Sequence, residues 1–302
     1  ETVAKTTAQN YRSSMIKIYK DLGIDEGLSF FINEPETVLI YLNEFKIRNQ
    51  NSKLSAVLKY IQYIEYENEN RRNNAIKLYR DRFNELRTDI RKINDIEPPM
   101  VTSETSNWND IQKQYNKYKR TINFKTSLYS ELLEYAIVSC FLLNPPRRTG
   151  DYASMLLYKP DTKENRDKLN YFDIDKKAFI FNNYKTSKTY GKQIVECTSK
   201  LWNIIEKFIM LRNLMTDKHV YLFKAVKSDR ALNDKEISDI LTRWGRKHDI
   251  KTNIRQLRHS FATELHKKTP PKHVLKKYAY QMGTSQDMIA SIYRDDKNRL
   301  NN

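Results

Sequence analysis

Cysteine is scarce in this sequence: its 302 residues include two, Cys140 and Cys197. Neither lies in the spacing of a metal site, and so few cysteines in a long chain indicate a reducing, intracellular compartment. Long apolar runs are lacking too. No stretch approaches the ~20 residues that span a bilayer, and no signal peptide is recognisable. We therefore expect neither a bound metal nor a membrane partner.

Acidic residues are also in short supply. Lys and Arg number 54 against 37 Asp and Glu, which gives a formal net charge of +17. Such a surplus bears on partners rather than on fold. It favours a polyanion, with nucleic acid first and an anionic membrane surface second. A ribosomal-type protein, or the compositional bias of an AT-rich genome, would give a similar balance.

Helical periodicity dominates the first part of the chain. Apolar residues recur at helical spacing in four stretches, beginning at Tyr11, Val38, Leu54 and Ala75. Their stripes are predicted to form a core. The pattern stops where two prolines and a run of Thr, Ser and Asn follow, which is the chemistry of a linker. We predict a helical domain over residues 1–94, a linker over 95–106 and a second domain over 107–302.

The second domain begins with helices and then changes character. Residues 127–143 read as a buried helix that ends before Pro145 and Pro146. Residues 178–195 predict a β-hairpin with lysines at and near its tip. Helical patterns then return. The predicted fold class is mainly α with a small antiparallel β-sheet, and the second domain is mixed α/β.

Cationic side chains recur where the predicted elements end. Arg147 and Arg148 follow the buried helix, and they could bind an anion or form a surface pair with Asp151. Arg255 and Arg258 lie about one helical turn apart, and Tyr293 follows far downstream. Guanidinium groups match phosphate oxygens, and a tyrosine can act as a covalent nucleophile. These residue types together indicate chemistry on a phosphodiester.

The motifs resemble those of the tyrosine recombinase family, the phage-integrase type. The string Arg-His-Ser-Phe-Ala-Thr at 258–263 is specific, and its spacing to Gly283 and Tyr293 fits. Upstream, Arg148-x-x-Asp151 is similar to the family's first arginine motif. The resemblance spans nearly the whole chain and implies a helical core-binding (DNA-clamp) domain followed by a mixed α/β catalytic domain. The form Pro-Pro-Arg-Arg-x-x-Asp-Tyr further resembles recombinases of eukaryotic mobile elements and of large DNA viruses or their satellites.

Catalytic roles follow from the resemblance. Tyr293 would attack the scissile phosphate, form a 3′-phosphotyrosyl link and release a 5′-hydroxyl. Arg148 and Arg258 would hold the non-bridging oxygens and stabilise the charge of the transition state. Lys185 would be the general acid, because it continues the strand alternation of the hairpin, and Lys188 is its rival.

Two further residues would support the site, and two others differ from the residues that the family usually has. Asp151 would orient an arginine, and His259 would be a buried orienting group. Arg255 stands where the family usually has His or Lys; it can donate to phosphate but cannot shuttle a proton. Thr284 stands where the family usually has His or Trp, and its hydroxyl could donate one hydrogen bond.

The resemblance also implies partners. We expect double-stranded DNA, bound by Lys53, Lys192, Arg243 and Arg246 among others, and a homo-tetramer on synapsed DNA that is a monomer or dimer off DNA. No cofactor is expected, because the phosphotyrosine conserves the bond energy. The location would be the nucleus or a cytoplasmic viral factory. A type IB topoisomerase-like enzyme and an inactive DNA-binding relative are the alternatives.

The choice between the two lysines is testable by substitution. We expect Lys185→Ala to slow strand cleavage by roughly 10²-fold or more, the usual contribution of a general acid, and to leave duplex binding intact. Lys188→Ala is the matched control from the same hairpin. Normal cleavage by Lys185→Ala together with slow cleavage by Lys188→Ala would transfer the role to Lys188.

Overall fold

The computed structural model describes residues 5–25, 27–96, 106–215 and 220–290. The chain divides into two compact units, Glu1–Met100 and Val101–Asn302, and the division falls inside the predicted linker. Both units are helical, and the second adds a three-stranded antiparallel sheet, as the sequence predicts. Within the described ranges, no helix is long and apolar enough to cross a membrane.

The first unit consists of helices around an apolar core. They are α1 (Lys5–Asp21), α2 (Phe30–Asn33), α3 (Pro35–Asn43), α4 (Ile47–Ile61) and α5 (Glu69–Ile96). The predicted stripes supply the core, with the buried residues Met15, Ile18, Val38, Leu42, Leu54, Val57, Ile61, Ala75, Tyr79 and Leu86. The Tyr79 hydroxyl donates to the Phe31 carbonyl at 2.9 Å and so ties α5 to α2. Burial of these stripes is the main driving force for the unit's packing.

The second unit is built from a longer series of elements. In chain order they are α6 (Trp108–Thr121), α7 (Tyr129–Leu142), α8 (Thr149–Tyr152), α9 (Lys163–Lys168), β1 (Tyr171–Asp173), β2 (Ala178–Phe181), α10 (Ser187–Tyr190), β3 (Gln193–Glu196), α11 (Ser199–Met215), α12 (Asp234–Lys247), α13 (Ile254–Lys267) and α14 (Lys272–Gln281). Residues 286–290 are helical as well.

Helix α7 is the centre of the second unit. Every residue from Leu132 to Leu142 is buried, and the helix packs against α11 and α12. It ends at Leu142, three residues before Pro145 and one residue before the predicted end. Its buried carboxylate, Glu134, forms ion pairs with Arg243 and Lys247 of α12 at 3.2 and 3.3 Å. Arg147 and Arg148 directly follow Pro145 and Pro146 after the end of this helix.

The sheet has the order β1-β2-β3, with both neighbours antiparallel. Phe181 at the end of β2 faces Gln193 at the start of β3, so the predicted hairpin is present. Its tip differs from the prediction. Strand β2 ends at Phe181, and α10 forms a helical turn within the tip, so Lys185 does not continue the strand alternation. That reason for preferring Lys185 is wrong.

Gly245 determines how α12 leads into α13. The backbone after α12 turns back so that the Ile250 amide donates to the Gly245 carbonyl at 2.8 Å. A Cβ atom at Gly245 would lie 2.7 Å from the Ile250 carbonyl oxygen and 2.6 Å from Thr252 Cγ2. Because the first of these is backbone, the turn has little freedom to move away.

This close approach predicts whether a larger residue at position 245 raises or lowers the free energy of unfolding. Helix propensity favours alanine over glycine by about 1 kcal/mol, whereas forced overpacking costs about 1–3 kcal/mol. We expect the cost of the clash to exceed the gain in helix propensity, so that Gly245→Ala lowers the free energy of unfolding measured in urea. Gly150→Ala is the control, because its Cβ would meet Asp234 at an ordinary 3.6 Å. Equal stability of the two variants would contradict the assignment.

Candidate active site at the end of helix α14

The C-terminal end of α14 is closed by a left-handed residue. Gly283 has φ +61°, and its amide donates to the Tyr280 carbonyl at 3.0 Å. The Thr284 amide donates to the Ala279 carbonyl, also at 3.0 Å. This is the Schellman arrangement, which leaves the carbonyls of residues 281–283 without partners inside the helix. The negative end of the helix dipole lies at these three oxygens, so cations are favoured there.

Three arginines bind these three carbonyls in turn. Arg147 Nη1 donates to the carbonyl of residue 281 at 3.0 Å, Arg258 Nη1 to that of residue 282 at 2.9 Å, and Arg148 Nη1 to that of residue 283 at 2.7 Å. Arg258 also donates to the Pro146 carbonyl at 2.8 Å. Arginines from two distant segments therefore meet at one helix end.

The two predicted phosphate ligands are half-buried and repel each other. Desolvation, followed by the charge of Arg148, lowers the pKa of Arg258 to about 10. The group stays protonated at neutral pH, but its charge is less well stabilised than in water. A phosphodiester bound between Arg148 and Arg258 would restore that stabilisation, since guanidinium donors match its oxygens. The electrostatics therefore suit an anion.

Arg147 is fully buried, at 0% exposure, so the alternative of a surface arginine pair is wrong. Its Nε donates to Asp151 Oδ2 at 2.8 Å. Asp151 thus holds Arg147 rather than its motif partner Arg148. Burial raises the pKa of the Asp151 carboxyl, while Arg147, Arg148 and Arg258 act in the opposite direction. Sequence reasoning named Arg147 with Arg148 as a possible anion site but did not include Arg147 among the expected site residues.

The other candidates on α13 and after α14 differ in exposure. Arg255 lies in the first turn of α13 and is exposed, whereas Arg258, one turn later, is half-buried. His259 is half-buried too, not buried as we expected. Thr284 is 7% exposed and follows the glycine that ends α14. The structure brings Thr284 and Arg258 to the same helix end, whereas Arg255 is exposed in the first turn of α13.

The hairpin tip is tied to the same helix end. Thr186 Oγ1 donates to the Gly283 carbonyl at 3.2 Å, the oxygen that Arg148 also binds. Lys185 precedes Thr186, and Lys188 lies in α10; both are exposed. Either ammonium group is close in sequence to the contact, so the tip leaves the choice of general acid open.

Tyr293 lies outside the described residues. Ile289, four positions earlier, is buried with Ala262, Ala279 and Met282 in a small cluster between α13, α14 and residues 286–290. This cluster includes Met282, whose carbonyl receives Arg258. The last described residues are thus packed against the two helices that carry the site.

The predicted DNA-binding residues fall in different surroundings. Lys192 and Arg246 are exposed. Arg243 is bound to the buried Glu134, a partner that the sequence did not indicate. Lys53 belongs to the first unit and lies 4.6 Å from the centre of the Phe45 ring. Burial, followed by the charge of Lys17, lowers the pKa of Lys53.

Comparison with known proteins decides the family. The model described as "Phage integrase family" matches residues 107–299, more than half of the chain. The chain belongs to the phage integrase family. It is therefore a tyrosine recombinase, an enzyme that breaks and rejoins DNA, as its motifs predicted. The matched range contains every candidate catalytic residue from Arg148 to Tyr293. The narrower resemblance to mobile-element and viral recombinases stays a prediction.

Solved structures share the fold of this tyrosine recombinase. The XerH site-specific recombinase bound to palindromic difH substrate, a post-cleavage complex, is 14% identical with a TM-score of 0.54. That alignment covers 97% of this chain and 77% of XerH. The pre-cleavage complex of XerH is 15% identical with a TM-score of 0.51, covering 85% and 65% of the two chains. A search of curated proteins found no match.

Because the two arginines of α13 differ in exposure, we predict that their replacement slows cleavage to different extents. We expect Arg258→Ala to slow cleavage by about 10²–10³-fold, as for removal of one transition-state donor. Arg255→Ala should slow cleavage much less, because the charge of an exposed guanidinium is screened by water. Single-turnover cleavage is measured beside duplex affinity at fixed salt. A loss for Arg255→Ala as large as that for Arg258→Ala would place both guanidiniums on the reacting phosphate.

Proposed function

We propose that this chain is a site-specific DNA recombinase that cleaves and rejoins duplex DNA through a 3′-phosphotyrosyl intermediate. The observation that carries the proposal is the meeting of Arg148 and Arg258 on neighbouring carbonyls at the end of α14. Both guanidiniums are half-buried, and the net charge of the chain is +17. A phosphate of the DNA backbone is the anion that fits this site and this charge.

The arginines act on the charge that develops during the reaction. A phosphodiester carries one negative charge, and the pentavalent transition state gathers more on its non-bridging oxygens. Arg148 and Arg258 each use Nη1 on an α14 carbonyl, so their other guanidinium N–H groups can donate to these oxygens. Since their positions are fixed before DNA binds, little reorganisation is needed when the charge forms.

The bond changes then follow in order. The Tyr293 oxygen forms a bond to phosphorus as its phenolic proton passes to water, and the bond from phosphorus to the 5′-oxygen breaks. Lys185 or Lys188 gives a proton to that oxygen, which leaves as a 5′-hydroxyl. In the reverse direction, a 5′-hydroxyl attacks the phosphotyrosine and releases Tyr293. No step consumes an external energy source, because one ester is exchanged for another.

The two departures from the family pattern have defined places in this mechanism. Arg255 can donate to a phosphate from the exposed start of α13 but cannot accept a proton. Thr284 can offer one hydroxyl donor beside the end of α14. Proton transfer therefore rests on the hairpin lysines.

The partners and setting follow from the same proposal. Duplex DNA would be bound by both units, with Lys53 on the first and Lys192 and Arg246 on the second. Four copies would hold two duplexes for strand exchange, and a monomer or dimer would exist off DNA. The Pro-Pro-Arg-Arg-x-x-Asp-Tyr string supports a mobile element or virus as the source, and the nucleus or a viral factory as the location.

Covalent trapping tests the proposal. Nicked duplexes from the DNA that adjoins the coding sequence are incubated with wild type and with Tyr293→Phe. We expect wild type to form a protein–DNA adduct at a 3′ phosphate, because the nick lets the 5′-hydroxyl fragment diffuse away. Tyr293→Phe should bind the same duplexes and form no adduct, since it lacks the nucleophilic oxygen.

Each other outcome has a separate meaning. Adducts in both proteins would show that Tyr293 is not the nucleophile. Salt-dependent binding without an adduct in wild type would favour an inactive DNA-binding relative, with Arg255 and Thr284 as the first positions to restore. Supercoil relaxation by monomers, without exchange between duplexes, would favour the topoisomerase-like alternative.

A further inference from the structure

Arg147 makes polar and ring contacts with several segments of the second unit. Its Nε donates to Asp151 at 2.8 Å, and its Nη1 donates to Gln193 Oε1 at 2.8 Å and to the Gln281 carbonyl at 3.0 Å. Its guanidinium carbon lies 3.9 Å from the centre of the Phe181 ring. One side chain therefore joins the start of α8, both strands of the hairpin and the end of α14.

These partners are the supports of the active site. Arg148 is the next residue along the chain, Phe181 and Gln193 are the two ends of the hairpin tip, and Gln281 opens the row of carbonyls that bind the arginines. The contact between the tip and the site, from Thr186 to the Gly283 carbonyl, lies beside them. Movement of Arg147 would therefore change the distance between the tip and the arginines.

Stability does not explain an arginine at this place. Replacing buried ion pairs by apolar residues of similar volume is often neutral or stabilising. Moreover, Arg147 Nη2 is buried without a hydrogen-bond acceptor in the described part of the chain, which costs free energy. What a guanidinium does supply is a planar set of donors in fixed directions. Such fixed directions let one side chain donate at once to the Asp151 carboxylate, the Gln193 amide oxygen and the Gln281 carbonyl, which come from three segments.

We propose that Arg147 is a positioning residue that fixes the hairpin tip, with Lys185 and Lys188, over the guanidiniums of Arg148 and Arg258. The inference rests on the proposed function of the site. Arg147 does not touch the reacting atoms. It sets the place from which a lysine ammonium gives its proton to the 5′-oxygen as the bond to phosphorus breaks. Loss of Arg147 should therefore affect leaving-group protonation most.

The test uses Arg147→Lys, which keeps a charge for Asp151 and loses the fork that reaches Gln193 and Gln281. Cleavage is compared on two nicked duplexes, one normal and one with sulfur as the 5′-bridging atom. A thiol has a pKa of about 8.5, so the thiolate leaves without a proton. Arg212→Lys is the matched control, because Arg212 is the other fully buried arginine among the described residues of the second unit, at 1% exposure.

We expect Arg147→Lys to cleave the normal duplex about 10²-fold more slowly than wild type, the scale of a general acid. On the sulfur duplex the deficit should shrink to less than about tenfold, and duplex affinity should stay within about threefold. Arg212→Lys should show the same ratio to wild type on both duplexes. Equal slowing of Arg147→Lys on both, or no slowing, would overturn the inference.

Two further measurements keep the inference testable. If Arg147→Lys does not fold, as its thermal melting would show, Gln193→Met removes the hydrogen bond from Arg147 to β3, leaves the other Arg147 contacts and should give the same sulfur rescue. Amide hydrogen exchange gives a readout without cleavage. The amide hydrogens of residues 182–192 should exchange faster in the variant than in wild type. Unchanged exchange would contradict the positioning role. Absence of an adduct with wild type on both duplexes would instead count against the proposed function.

Discussion

Three consecutive carbonyls at the end of α14 fix the positions of three arginines. A helix end presents its last oxygens in one direction, and Gly283 keeps them clear of the following chain. Guanidiniums held away from water need such acceptors, because buried charge without partners is costly. Arg148 and Arg258 come from distant segments, so the helix end acts as the template that brings them together. The two proposed phosphate ligands are therefore held together in the protein without DNA.

Local patterns were enough to predict most of the architecture. The apolar stripes predicted the helical first unit, and the largely apolar sequence of α7, followed by Pro145 and Pro146, predicted the buried helix. The motif at 258–263 identified the helix that carries Arg258. These features depend on neighbouring residues, which is why periodicity and motif spacing report them well. The family match covers residues 107–299.

Long-range polar contacts account for what the sequence did not reveal. Strand β2 stops because Asn170 Oδ1 accepts the amides of Asn182 and Asn183, each at 2.8 Å, and so turns the chain into the hairpin tip. Arg147 enters the core because Asp151, Gln193 and the helix end converge on it. No period or motif reports such contacts. The clearest local hint was Gln193, a polar residue at an inward position of β3.

The end of α14 also constrains how this chain could diverge. A Cβ atom at Gly283 would lie 2.5 Å from Arg147 Nη2, so any side chain there conflicts with the arginine as well as with the left-handed backbone. Positions 147 and 283 should therefore change together among relatives. Those with a smaller residue at 147 gain room at 283, and those that keep arginine must keep glycine. Covariation of these two positions would therefore show this packing contact from the sequences of relatives alone.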